Sequence, residues 1–139
     1  VIVTVPSRRM ARELALQALF SVEIGHRDAA EVLDEYLATF SESAHRLFVK
    51  DLVLGTLEHV QESDEAIKPL LEGWTIERLP TIDRLLLRMG TFELRHHPET
   101  PRPVIINEAV ELAKRFSTED SGRFVNGVLS ALTKANGHA

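Results

Sequence analysis

Between Pro103 and Leu132 the apolar residues recur at alternating three- and four-residue intervals, twice over. Ile106, Ala109, Val110, Ala113 and Phe116 form one series, and Phe124, Val125, Val128, Leu129 and Leu132 form another. Such spacing lines one face of an α-helix and conflicts with the period of two that a half-buried strand requires. The stretch PVIINEAVELAKRFSTEDSGRFVNGVLSAL therefore predicts two short helices hinged at Ser117-Thr118-Glu119-Asp120. Ser117 with Asp120 three residues later has the spacing of a capping box. Gly127 falls inside the second helix, where glycine costs about 1 kcal/mol relative to alanine. A packing or recognition reason is expected for it. Arg123 and Phe124, beside the start of that helix, make it a place where a ligand can be held.

The same periodicity runs through the rest of the chain. A first helix is predicted from about Arg8 to Ile24, capped by Ser7 and ended by Gly25, with Ala11, Leu14, Ala15, Ala18, Leu19 and Val22 as its stripe. Asp28 is placed to cap a second helix through about Phe40, burying Val32, Leu33, Tyr36, Leu37 and Phe40. A third, about Ala44 to Gln61, is expected to bury Leu47, Phe48, Leu52 and Leu57, with Gly55 permitting close approach. Ser63-Asp64-Glu65 starts a fourth, which Pro69 should kink or end. Gly73 to Pro80 reads as a loop holding the one tryptophan, Trp74, for which half-buried packing is the first expectation. Thr81 is placed to cap a fifth helix through about His97, apolar over more than one face and hence the most buried element. Pro98 to Pro103 is a stiff connector. About seven helices with short connections make a single all-α domain over residues 1–139.

Charge is distributed unevenly. The net charge of −5 argues against a protein that coats nucleic acid through charge alone. Local clusters say more. Residues 1–12 carry Arg8, Arg9 and Arg12 and no acid, and these cations at the start of the first helix oppose its dipole at a cost of a few tenths of a kcal/mol each, on the order of surface dipole effects. They fit either an anionic partner or a solvated, frayed helix start. Glu62, Asp64, Glu65, Glu72 and Glu77 face only Lys68 across residues 62–77. The split suggests two faces for two partners.

No catalytic pattern emerges. The six histidines, His26, His45, His59, His96, His97 and His138, lack zinc-motif spacing, and cysteine is absent. His96 and His97 point to different sides of a helix and read as solvated. No P-loop, dinucleotide fingerprint or nucleophile elbow occurs. No cofactor is expected, and a binding protein is favoured over an enzyme. No apolar run reaches 18 residues, and the first five residues are too short for a signal-peptide core, so a cytoplasmic protein without membrane association is expected.

With both ends read, the sequence resembles the NusB family. The likeness lies in RRMARELALQALF (8–20), FVKDLVLGTLEHV (48–60), IDRLLLRMGTFEL (82–94), INEAVELAKRF (106–116) and TEDSGRFVNGVL (118–129). It implies an all-α fold of two packed three-helix subdomains plus an extra helix. It also implies an antitermination factor that binds boxA RNA of ribosomal RNA leader transcripts together with NusE, a small-subunit ribosomal protein. That pair supports an antitermination complex on RNA polymerase. By the resemblance, Arg8, Arg9 and Arg12 contact phosphates, although Met10 stands where some members continue the arginine run. Asp120, Arg123 and Phe124 match the second RNA-contacting region. Phe124 fits either a base-stacking or a core position, and Asn126 either a base contact or a helix tie. Asp83 matches an acidic position used toward NusE. Two alternatives remain at this point. One is the NusB-like module of an RNA cytosine methyltransferase, disfavoured because the chain stops at Ala139. The other is a homodimer formed without NusE.

Overall fold

Ser7 caps the first helix. Its side-chain oxygen accepts from the Met10 amide at 3.2 Å, starting α1 (Arg8–Gly25). The computed structural model describes residues 7–38 and 43–135. It divides the chain into two compact units, residues 1–55 and 56–139.

In the first unit α1 is closed by His26 in the left-handed conformation, one residue beyond the predicted Gly25 stop. Asp28 accepts from the Glu31 amide at 3.2 Å and caps α2 (Ala29–Leu37), as its residue type predicts. The expected extension to Phe40 lies outside the described residues. α3 (Ser43–Glu58) follows. Ala11, Ala15, Leu16, Ala18 and Leu19 of α1, Val32, Leu33 and Leu37 of α2, and Phe48, Val49, Leu52 and Val53 of α3 are buried. Leu47 is not among them. It is 67% exposed, because burial falls on the adjacent Phe48–Val49 side of the helix.

The second unit holds four helices. α4 (Val60–Ile67) starts after His59, earlier than the predicted Ser63, and gives way to a 3-10 turn at Lys68–Leu70. The break lies where Pro69 removes a backbone donor, as expected. Another 3-10 turn, Ile76–Arg78, lies inside the predicted loop. α5 (Thr81–His96) begins at Thr81 itself. Pro80 occupies the cap position without a side-chain bond, so Thr81 is not the cap.

α5 is the buried element that its sequence predicts. Leu85, Leu86, Leu87, Met89 and Phe92 cover more than one face. A Cβ on Gly90 would stand 2.9 Å from Leu129 Cδ1, so glycine permits the approach of α5 to the last helix. Arg88 makes paired bonds of 2.8 and 2.9 Å to Asp64, joining α5 to α4.

α6 (Arg102–Phe116) and α7 (Glu119–Ala135) pack as the predicted helical pair. The buried face of α6 is Ile105, Ala109, Leu112 and Ala113, rotated from the predicted one. Ile106, Val110 and Phe116 are only half-buried. α6 carries apolar residues on both candidate faces, and the packing of α5 and α7 decides between them. Ser117 does not form the predicted box with Asp120. Thr118 accepts from the Ser121 amide at 3.0 Å and starts α7 instead. The described residues thus form an all-α fold of seven α-helices.

Candidate nucleic-acid interface

At the start of α1, Arg8 and Arg9 are exposed and Arg12 is 3% exposed. The Arg8 guanidinium lies 4.2 Å from the Phe48 ring centroid, and that of Arg12 lies 5.2 Å from the same ring. The ring's negative face offsets the burden of two cations near a helix N-terminus. Phe48 therefore gathers the arginines that the sequence places together. Of the three, Arg8 and Arg9 are exposed at the surface. Arg12 is packed inward, a placement that spacing alone does not reveal.

At the start of α7 the exposed pair Asp120 and Arg123 is joined by a hydrogen bond across one helical turn. Phe124 lies outside the buried stripe of Val125, Val128, Leu129 and Leu132. It is half-buried in the wall of a cleft that also contains Pro69, Leu70, Trp74, Arg123 and Gly127. Trp74 is 62% exposed, contrary to the packed position expected of it. Successive left-handed residues, Glu72 at φ 49° and Gly73 at φ 93°, turn the chain just before it. The Trp74 amide donates to Leu71 O at 3.1 Å and closes that turn. An added Cβ at Gly127 meets nothing within 4 Å, so helix packing does not explain this glycine. The cleft combines an open indole, a phenyl ring and a guanidinium, a set that suits stacking on unpaired bases beside a phosphate.

Asp83 takes a different place from the one the family likeness implies. It is 4% exposed and hydrogen-bonds Ser121 in the first turn of α7, while its Oδ1 has no hydrogen-bond partner. Burial pushes its carboxyl above the ordinary value, against the lowering effect of the Ser121 bond. Glu72 and Glu77 are exposed, whereas Asp83 is buried. Asn126 is exposed on a groove with Ile106, Asn107 and Val110.

The model of the NusB family matches residues 9–134 of the chain. The chain belongs to the NusB family. Among its NusB relatives, the transcription antitermination protein NusB of Sorangium cellulosum is 43% identical over 129 residues, covering 92% of each chain. That of Geobacter sulfurreducens is 44% identical over 128 residues, covering 91% of this chain and 93% of the relative. Among solved structures, NusB of T. maritima superposes with a TM-score of 0.88 at 35% identity, covering 94% of this chain and 93% of that one. A crystal structure of the antitermination factors NusB and NusE in complex with double-stranded RNA matches with a TM-score of 0.85 at 30% identity. It covers 92% of this chain and 96% of its counterpart. For this NusB-family chain, the sequence signal that could have found Trp74 is the Glu72-Gly73 turn before it. Nothing local in the sequence marks Arg12 or Asp83 as buried.

Proposed function

We propose that this NusB-family chain is a non-enzymatic transcription antitermination factor. It binds the boxA element of ribosomal RNA leaders jointly with NusE and supports antitermination-complex assembly on RNA polymerase in the cytoplasm, working as one 139-residue RNA-binding domain. The single observation that carries the reading is the likeness, over nearly the whole chain, to a NusB that was crystallised with NusE and RNA. The local chemistry supports it. Arg8 and Arg9 supply phosphate affinity despite the net charge of −5, and Arg12 holds the same helix start by packing on Phe48. Phe124 and Trp74 offer stacking faces in a cleft that Arg123 also lines, and Asp120 pairs with Arg123. NusE, as a basic ribosomal protein, suits exposed acids of the second unit, with Asp83 acting from beneath that surface. Binding both partners on one RNA multiplies two weak contacts through effective concentration.

The test is fluorescence anisotropy with boxA RNA and a scrambled RNA, with and without NusE, at two salt concentrations. The reading requires preferential boxA binding that sharpens when NusE is present. Equal weak binding to both RNAs, unmoved by NusE, would overturn it.

A further inference from the structure

His59, Glu62 and His96 bring three metal-ligating atoms within 4.8 Å of one another. His59 occupies the N-cap of α4, Glu62 its first turn, and His96 the last turn of α5. The first two are three residues apart, which places them on one side of a helix, and the third arrives from the neighbouring helix. Phe92 organises the rings. Its own ring is buried and lies 5.5 Å from that of His59 and 5.1 Å from that of His96. The two imidazoles are held 4.2 Å apart by centroid. Neighbouring His97 meets the edge of the same Phe92 ring at 5.6 Å but pairs with Glu99 at 2.8 Å, outside the three-residue cluster.

One ligand pair already stands at the spacing that a small transition-metal ion demands. Two ligands bound at roughly 2.0–2.1 Å on a tetrahedral ion stand about 3.3 Å apart. Glu62 Oε1 and His96 Nε2 are already 3.4 Å apart. Arg95 Nη1 lies 3.3 Å from the same oxygen and can steady the carboxylate from outside the ligand set. Two imidazoles and a carboxylate suit zinc-class ions better than magnesium or calcium, which prefer oxygen-only surroundings.

We propose that His59, Glu62 and His96 form a binding site for a zinc-class divalent ion, with a remaining coordination position open to solvent. Such an ion ties the start of α4 to the end of α5 and stabilises the second unit by binding the folded state alone.

The test is calorimetric titration of the untagged 139-residue chain with Zn2+, with Mg2+ as a control, together with thermal unfolding and the visible spectrum of the Co2+ form. The expected result is one equivalent of Zn2+ bound, a raised Tm and no response to Mg2+. His96→Ala and Glu62→Gln each weaken Zn2+ binding by at least about tenfold, the scale of losing a ligand or its support. Both also weaken the Co2+ band, while exposed His26→Ala changes neither. Because His59 also caps α4, its variant is judged only after circular dichroism shows native helicity, and the decision rests on His96→Ala and Glu62→Gln. Absence of Zn2+ binding by the native chain, or binding undiminished in both of those variants, overturns the proposal.

Discussion

The Asp83 side chain in the first turn of α5 hydrogen-bonds that of Ser121 in the first turn of α7, with both residues buried. Ser121 is also tied to Ser117 at 2.8 Å, and its amide to Thr118 at 3.0 Å. One buried acid thus lies against the first turn of the helix that carries Arg123 and Phe124. The folded-state pKa of Asp83 is raised, so the folded chain holds its proton to higher pH than the unfolded chain does. Below the ordinary aspartate value, near ~3.9, both states are protonated and no penalty exists. As pH rises above that value the unfolded state ionises first, and stability falls until Asp83 ionises in the folded state. Asp83→Asn should therefore gain stability relative to the native chain between acidic and neutral pH. Urea unfolding at several pH values checks this, and a gap between the two proteins that narrows toward neutrality would contradict it.

Trp74 and Phe124 should both act in RNA binding. Each stacked base is worth about 1–3 kcal/mol, so Trp74→Ala or Phe124→Ala should weaken boxA affinity by roughly fivefold or more. As the one tryptophan, Trp74 also reports directly. Its fluorescence should be quenched as boxA RNA is added, with an end point matching the anisotropy titration. Unchanged emission at saturating RNA would remove it from the interface.

The arginines of α1 should separate into two kinds. Arg8→Ala and Arg9→Ala should each lower the slope of log K against log salt by about 0.7–0.9, the value for one phosphate contact. Arg12→Ala should instead lower stability by about 1–2 kcal/mol, because it empties a buried site and removes a cation from the Phe48 face. Thermal unfolding and salt titration of the three variants distinguish these effects. An Arg12 variant of native stability with a reduced salt slope would reverse the assignment.

Gly127 and Gly90 are predicted to respond in opposite directions to alanine. The space beside Gly127 is open, so Gly127→Ala should stabilise α7 by about 1 kcal/mol, its helix-propensity gain. Weaker RNA binding by the same variant would identify the cleft, not the fold, as the reason for glycine. Gly90→Ala forces the side chain of Leu129 aside and should destabilise by about 1–3 kcal/mol. Chemical denaturation and RNA titration of both variants provide the check.

Residue type and periodicity were sufficient for much of this molecule. Ser7 and Asp28 cap where their side chains predict, Pro69 ends α4, and α5 is buried on more than one face as its composition requires. These features are local, set by hydrogen bonds and apolar spacing within a few residues. Where two solutions satisfied the same local rule, the sequence could not choose. Ser117 and Thr118 can both cap, and α6 has two apolar faces one residue apart.

The choice belongs to contacts between elements distant in the chain. Arg12 is buried while Arg8 remains at the surface, although both guanidiniums lie against the Phe48 ring. Phe92 brings His59 beside His96 across 37 positions of sequence, which no motif spacing expresses. Asp83 is buried with Ser121, 38 positions away in the chain. The sequence alone determined the all-helical pattern, the Ser7 and Asp28 caps and the family, because helix formation and core patterning are encoded at short range. The tertiary structure alone decided which charged and aromatic side chains face solvent, because exposure depends on what the neighbouring helix leaves uncovered.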